Sequence, residues 1–255
     1  MFALAIALSL LIGVSLGLLG GGGSILTTPI LIYALGVEPK AAIASSLLVV
    51  GVTSAAAVVQ HARAGNVEWR TGLVFGAAGM AGAYVGGRLA ALIPASVLLL
   101  LFAGMMVATS IAMFRGRGDA SPATRSAVWR MLLDGFVVGV VTGLVGAGGG
   151  FLVVPALALL GGLPMRKAVG TSLAVIAMKS FAGFAGHAGH VTVDFALVGV
   201  VSAAAVAGSV LGGLVSQRVP AEGLRRGFAV FVLVMAGFVL WQQVPKVLPE
   251  VQVES

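Results

Sequence analysis

The sequence predicts an all-α, polytopic membrane protein built from two inverted repeats. Each repeat is a glycine-tipped broken or re-entrant hairpin followed by three long transmembrane helices. Three observations predict this: charge is scarce, the apolar runs are long, and the chain repeats itself without a gap at an offset of 126 residues.

Of the 255 residues, 59% are hydrophobic and 9% charged. Soluble domains carry about 25% charged residues, so this chain has too little charge to coat a surface facing water. The apolar runs are Phe2–Leu19, Ala41–Val59, Gly72–Ile93, Val97–Phe114, Leu132–Val145, Val169–Ala185, Phe195–Val215 and Leu224–Trp241. A helix of about 20 apolar residues crosses a bilayer, and these runs reach or approach that length. They do not alternate polar with apolar residues, as strands of a membrane barrel do. The N-terminal run lacks the basic segment of a cleaved signal peptide and belongs to the repeat. The chain has no cysteine, hence no disulfide and no thiolate metal site. Its net charge of +7 comes from loop residues, a pattern of membrane orientation and not of nucleic-acid binding.

The repeat pairs Gly13 with Gly139, Gly17 with Gly143, Pro29 with Pro155, Ser46 with Ser172, His61 with His187, Gly82 with Gly208, Gly86-Gly87 with Gly212-Gly213 and Pro94 with Pro220. The first repeat covers 1–114 and the second 127–241. The Arg-rich stretch 115–126 forms a cytoplasmic linker between them, and 242–255 is a C-terminal tail. In each half a first helix ends in a glycine run. A short apolar segment follows, Ile25–Leu35 or Phe151–Leu160. At about 1.5 Å per residue it cannot cross ~30 Å of hydrocarbon, which makes it the return arm of a hairpin.

Inverting the second half places 11 Lys and Arg residues on one side of the membrane and three (Lys40, Arg88 and Lys246) on the other. Positive residues favour the cytoplasm. The expected location is therefore the inner membrane, with both termini outside the cytoplasm. Inverted repeats commonly enclose a substrate site near the midplane.

Four sets of residues are candidates for that site. The first is the two glycine tips, Gly20, Gly21, Gly22, Gly23 with Ser24, and Gly146, Gly148, Gly149, Gly150. A helix start has about four free amides and roughly half a positive charge, and glycine lets a ligand touch the backbone. Two facing tips would hold an anion; close helix packing would also use such glycines. The GxGxxG-like spelling lacks the strand–turn–helix context of a dinucleotide site.

The second candidate is Lys179, inside an apolar run with no carboxylate in any run except Asp134 near a helix start. A lysine at a helix centre costs about 2.5–3.5 kcal/mol on insertion scales, and such residues mark substrate pathways. Snorkelling or pairing with carbonyls is the structural alternative. The third set is hydroxyls, with Ser46 and Ser172 foremost, beside Ser45, Thr171, Thr53, Ser54 and Ser180. They suit oxyanions, or they bond helix to helix. The fourth is His61 and His187, at matching helix ends on opposite faces, placed for gating or proton-linked roles or simply as polar helix ends.

The repeated pattern from Gly13 to Pro29 and from Gly139 to Pro155, the doubled layout, and the stretches around His61 and His187 resemble the TauE/SafE family of sulfite exporters. The resemblance covers nearly the whole chain. It implies a transporter, not an enzyme, that moves small sulfur-containing anions such as sulfite or sulfoacetate. Export by alternating access is the expected mechanism. Its partners are the anion and the lipid bilayer, and no cofactor is expected. Two departures stand out: Ala147 opposite Gly21, and Lys179 opposite Thr53. A passive anion channel shares these features. An intramembrane hydrolase using Ser24 or Ser46 with His61 is the enzymatic alternative, and it lacks an orienting third group.

Overall fold

The computed structural model describes residues 2–115, 128–145, 150–187, 189 and 191–253, and among them every regular element is helical. The first half contains α1 (Phe2–Leu19), α2 (Gly22–Pro29), α3 (Pro39–Arg63), α4 (Trp69–Ala90) and α5 (Ala95–Arg115). The second contains α6 (Val128–Val145), α7 (Gly150–Pro155), α8 (Met165–His187), α9 (Phe195–Ser216) and α10 (Ala221–Val253). Among the described residues, seven helices are long and apolar enough to cross a membrane: α3, α4, α5, α6, α8, α9 and the Ala221–Gln242 part of α10. The apolar stretch of α1, Ala5–Leu19, is shorter. α10 continues as helix through Val253, beyond the apolar run that ends at Trp241. The outer surface carries exposed Leu73, Leu133, Leu211 and Val234. Such a surface would aggregate in water and is matched to lipid.

The short segments behave as expected in length and depart in detail. Each α-helical piece ends at its proline, Pro29 or Pro155, and runs on as a π-helical turn, Ile30–Ala34 or Ala156–Leu160. Proline has no N–H, and its ring crowds the carbonyl one turn back. The helix widens there, and Leu35 N–H donates to Ile30 O (3.1 Å) as Gly161 N–H does to Ala156 O (2.9 Å). Widened turns of this kind are common at functional sites.

The two halves are interleaved, with equivalent positions making equivalent contacts. A Cβ added to Gly13 of α1 would strike Ala205 O and, at 2.8 Å, Ser209 N of α9. A Cβ on the matching Gly139 of α6 would strike Gly79 O and, at 2.9 Å, Gly79 Cα of α4. Likewise Gly17 abuts Ser209 O and Gly143 abuts Ala83 O, while Gly82 faces Phe136 O and Gly208 faces Leu10 O. Every one of these pairs maps onto its mate at the repeat offset. Without a hydrophobic force between helices in lipid, such backbone approach supplies the dispersion contact that holds them. α3 and α8, the most buried spans, pack on each other at the centre. α5 and α10 pair through Phe102, Met106, Phe228 and Val232, and Ser110 Oγ donates to Ala229 O at 2.8 Å.

Helix starts at the loops are fixed by carboxylates. Asp194 Oδ1 accepts from Ala196 N (2.9 Å) and Leu197 N (3.0 Å), capping α9. Asp194→Ala should cost about 1 kcal/mol, read as a lower unfolding midpoint in detergent.

Candidate functional site

The first glycine tip turns the chain from α1 into α2. Gly20 N–H donates to Leu16 O at 2.8 Å, closing α1, and Gly20 itself has φ +73°. Only glycine takes that conformation without cost. Gly21 is the N-cap of α2, and no side chain caps it. α2 then folds back along α1, for a Cβ on Gly23 would press on Ile12 O and, at 2.5 Å, Leu16 Cβ. The expected broken hairpin is formed here. Ser24 Oγ donates to Gly21 O at 2.6 Å, which spends its proton inside the tip.

Of the second tip, Gly146, Gly148 and Gly149 lie outside the described residues. Gly150, the first residue of α7, meets the first tip directly. A Cβ on it would lie 2.7 Å from Gly21 Cα and 2.9 Å from Ser24 Oγ. Gly20 in turn faces the second half, where its Cβ would lie 2.9 Å from both Ser172 Oγ and Val169 O. Gly20 and Gly21, Ser24, Gly150 and Ser172 are thus brought to one place. Gly20→Ala meets both the left-handed backbone and this contact. The backbone alone costs about 1–2 kcal/mol, so the unfolding midpoint should fall by more than for Asp194→Ala.

The serines are fully buried and already bonded. Ser172 Oγ donates to Val169 O (2.7 Å), and Ser46 Oγ donates to Ile43 O (2.8 Å) while accepting from Thr28 Oγ1 (3.0 Å). A hydroxyl has one proton. In these rotamers both serines therefore present lone pairs to their surroundings, and donation to an anion requires rotation. Thr28, missed in the sequence, belongs to this set. Its counterpart is Val154, so the repeat did not mark it.

Lys179 is 1% exposed, and its Nζ donates to Thr142 Oγ1 at 3.0 Å. Its stem runs beside α4, with Cδ 3.7 Å from where a Gly79 Cβ would be. Thr142 stands one turn before the second glycine run. One turn before Lys179 on α8, Ile176 Cδ1 lies 2.9 Å from where a Gly150 Cβ would be. The ammonium is therefore held about one helical turn along α8 from where Ile176 meets the start of α7. Lys179 does not snorkel. Thr142 was invisible to the repeat because its mate is Leu16.

His61 lies beside the last turn of α1, whereas His187 bonds within its own helix. His61 and His187 are buried at 3% and 5% exposure. His61 Nε2 lies 3.2 Å from Gly17 O, and His187 Nδ1 3.0 Å from Gly183 O. A carbonyl only accepts, so both of these nitrogens carry protons. The His61 ring bonds the backbone of α1, not Ser24 or Ser46, which removes the hydrolase pairing. Among the described residues no group of three His, Cys, Asp or Glu could hold a metal ion.

The family model for "Sulfite exporter TauE/SafE" matches residues 5–239. The chain belongs to this family. A "Probable membrane transporter protein" of Xylella fastidiosa (strain Temecula1) is 36% identical over 246 residues, covering 91% of this chain and 92% of that protein. The "Probable membrane transporter protein YdhB" of Bacillus subtilis is 27% identical, covering 93% and 99%. The "Probable membrane transporter protein MJ0441" of Methanocaldococcus jannaschii is 30% identical over 193 residues, covering 71% and 72%. No solved structure matches the chain. This TauE/SafE member is a multi-pass membrane transporter, not an enzyme.

Proposed function

We propose that this TauE/SafE protein is a secondary exporter of small sulfur-containing oxyanions, sulfite or an organosulfonate such as sulfoacetate. The observation that carries the reading is Lys179, a cation enclosed by α4, α6 and α8 about one helical turn from the start of α7, where Gly150 meets the first glycine tip. Burying an ammonium costs several kcal/mol, and a protein that keeps one inside a membrane commonly uses it on a substrate. The anion rests against the uncapped start of α2, where Gly150 of the second half meets Gly21, within reach of Lys179 and, after rotation, of Ser46 and Ser172. The two repeats, 1–114 and 127–241, are the bodies that rock. The reciprocal contacts of Gly13 with α9 and Gly139 with α4 support two copies related by a two-fold axis, and the Lys and Arg distribution favours their inversion. The protein sits in the inner membrane with both termini outside the cytoplasm, as the Lys and Arg distribution favours. His61 and His187, at opposite ends, serve the two gates.

The test is counterflow in liposomes holding the purified protein, with labelled sulfite and sulfoacetate. Saturable uptake, accelerated by unlabelled anion on the other side, is expected. Flux that neither saturates nor shows counterflow would make the protein a channel. No flux of any sulfur oxyanion above protein-free vesicles would remove the reading.

A further inference from the structure

The two ends of the molecule are built from equivalent residues, yet the described residues pack differently at each. At the end carrying Lys40, a cavity of about 230 Å³ is lined by Lys40, Ile43, Gly87, Ala91, Leu98 and His187. Its counterparts at the other end are Arg166, Val169, Gly213, Gln217, Leu224 and His61. There the Gln60 side-chain amide occupies the space over Gly213, and the Asn66 carbonyl presses on Gly170. Glu68 N–H donates to Thr171 Oγ1 at 2.8 Å, and the Glu68 carboxylate meets Lys167 Nζ at 3.2 Å. At the Lys40 end two of the equivalent positions hold smaller residues. The mate of Gln60 is Gly186, and the mate of Lys167 is Ala41. The cavity is therefore written into the sequence difference between the repeats.

Its chemistry favours an anion. Lys40 Nζ donates one hydrogen to Ala91 O at 3.3 Å, and an ammonium has three. His187 forms the inner wall, its Nδ1 turned to Gly183 O. The Glu38 carboxylate, two residues from Lys40, is engaged by Ala41 N–H at 3.0 Å. A water takes about 30 Å³, so the space admits an oxyanion with several waters. A chain of hydrogen bonds joins its wall to the buried hydroxyls: the carbonyl of the lining residue Ile43 accepts from Ser46 Oγ, and Ser46 in turn accepts from Thr28 Oγ1.

We propose that this cavity is a second anion site, in which a small oxyanion rests between Lys40 and His187 at one mouth of the pathway. The site is outside the tip set and deepens the transporter reading, on which it rests. Lys40 captures or releases the anion there, while the Gln60–Glu68–Lys167 end stays shut.

The absence of native cysteine allows a direct test. Ala91→Cys, in the cavity wall, should react with a charged methanethiosulfonate, and sulfoacetate or sulfate (which do not consume the reagent) should slow the reaction. Its exposed mate Gln217→Cys should react with no such protection. Adding Lys40→Gln to Ala91→Cys should raise the protecting concentration about tenfold, whereas adding Lys179→Met should leave it unchanged. Protection that follows Lys179 instead of Lys40, or no protection by either anion, would overturn the site. Counterflow measured on the parent protein separates the two readings. Flux without protection at Ala91→Cys removes this site alone, and protection without flux of any anion removes the exporter reading while the site stands.

Discussion

Lys179→Met should lower anion flux between ten- and a hundredfold while leaving the protein inserted and no less stable. The side chain is 1% exposed and its Nζ donates to Thr142 Oγ1 at 3.0 Å, and methionine keeps the apolar packing of the stem. Exchanging a buried ion for an apolar group of similar volume is often neutral or stabilising. A hydrogen bond from a charged group to a substrate is worth about 1.5–3 kcal/mol, and each 1.4 kcal/mol is about tenfold in binding. The loss should appear as a higher half-saturation for sulfite in counterflow, with the unfolding midpoint unchanged or raised. Thr142→Val should give a smaller loss of the same kind, since it removes only the group that positions the ammonium. Wild-type kinetics in Lys179→Met would show that the lysine never touches the anion.

Gly139→Ala and Gly13→Ala should each destabilise the protein by about 1–3 kcal/mol or more, the range for overpacking a close contact. The obstruction is backbone in both cases, Gly79 O and Cα against one and Ala205 O against the other, so no rotamer change relieves it. The two losses should be similar, because the sites are mates in the repeat. Gly104→Ala and Gly227→Ala are the opposite case. Nothing lies within 4 Å of an added Cβ at either, and alanine favours a helix over glycine by about 0.5–1 kcal/mol. Thermal unfolding in detergent should separate the pairs by sign. Equal midpoints for Gly139→Ala and the parent would mean that the crossing of α4 and α6 yields readily.

The helices and the first hairpin were legible because apolar length and glycine runs report backbone requirements, which hardly depend on the rest of the chain. Pro29 and Pro155 marked the short arms correctly, but not the π turns behind them. Those turns depend on how each carbonyl finds a donor after the proline, which composition does not show. Lys179 was conspicuous as a charge in an apolar run, whereas its partner Thr142 was an ordinary helix residue until α6 came beside α8. Lys40 read only as an orientation charge, and nothing in its neighbours announced the cavity it shares with His187 from the other half. The serines were legible as polar and buried, but their donation to Ile43 and Val169 depends on rotamers. Three glycines of the second tip, Gly146, Gly148 and Gly149, lie outside the described residues.

The exchange of partners between α1 and α9, and between α6 and α4, has a consequence for biosynthesis. As it leaves the ribosome, α1 has no mate for its glycine face, because Ser209 of α9 is among the last parts translated. The nascent first half must wait in the bilayer, its seam temporarily filled by lipid or by a chaperone. Two separately expressed fragments, cut in the linker, should then recover assembly only when made together, because each supplies the surface the other is missing.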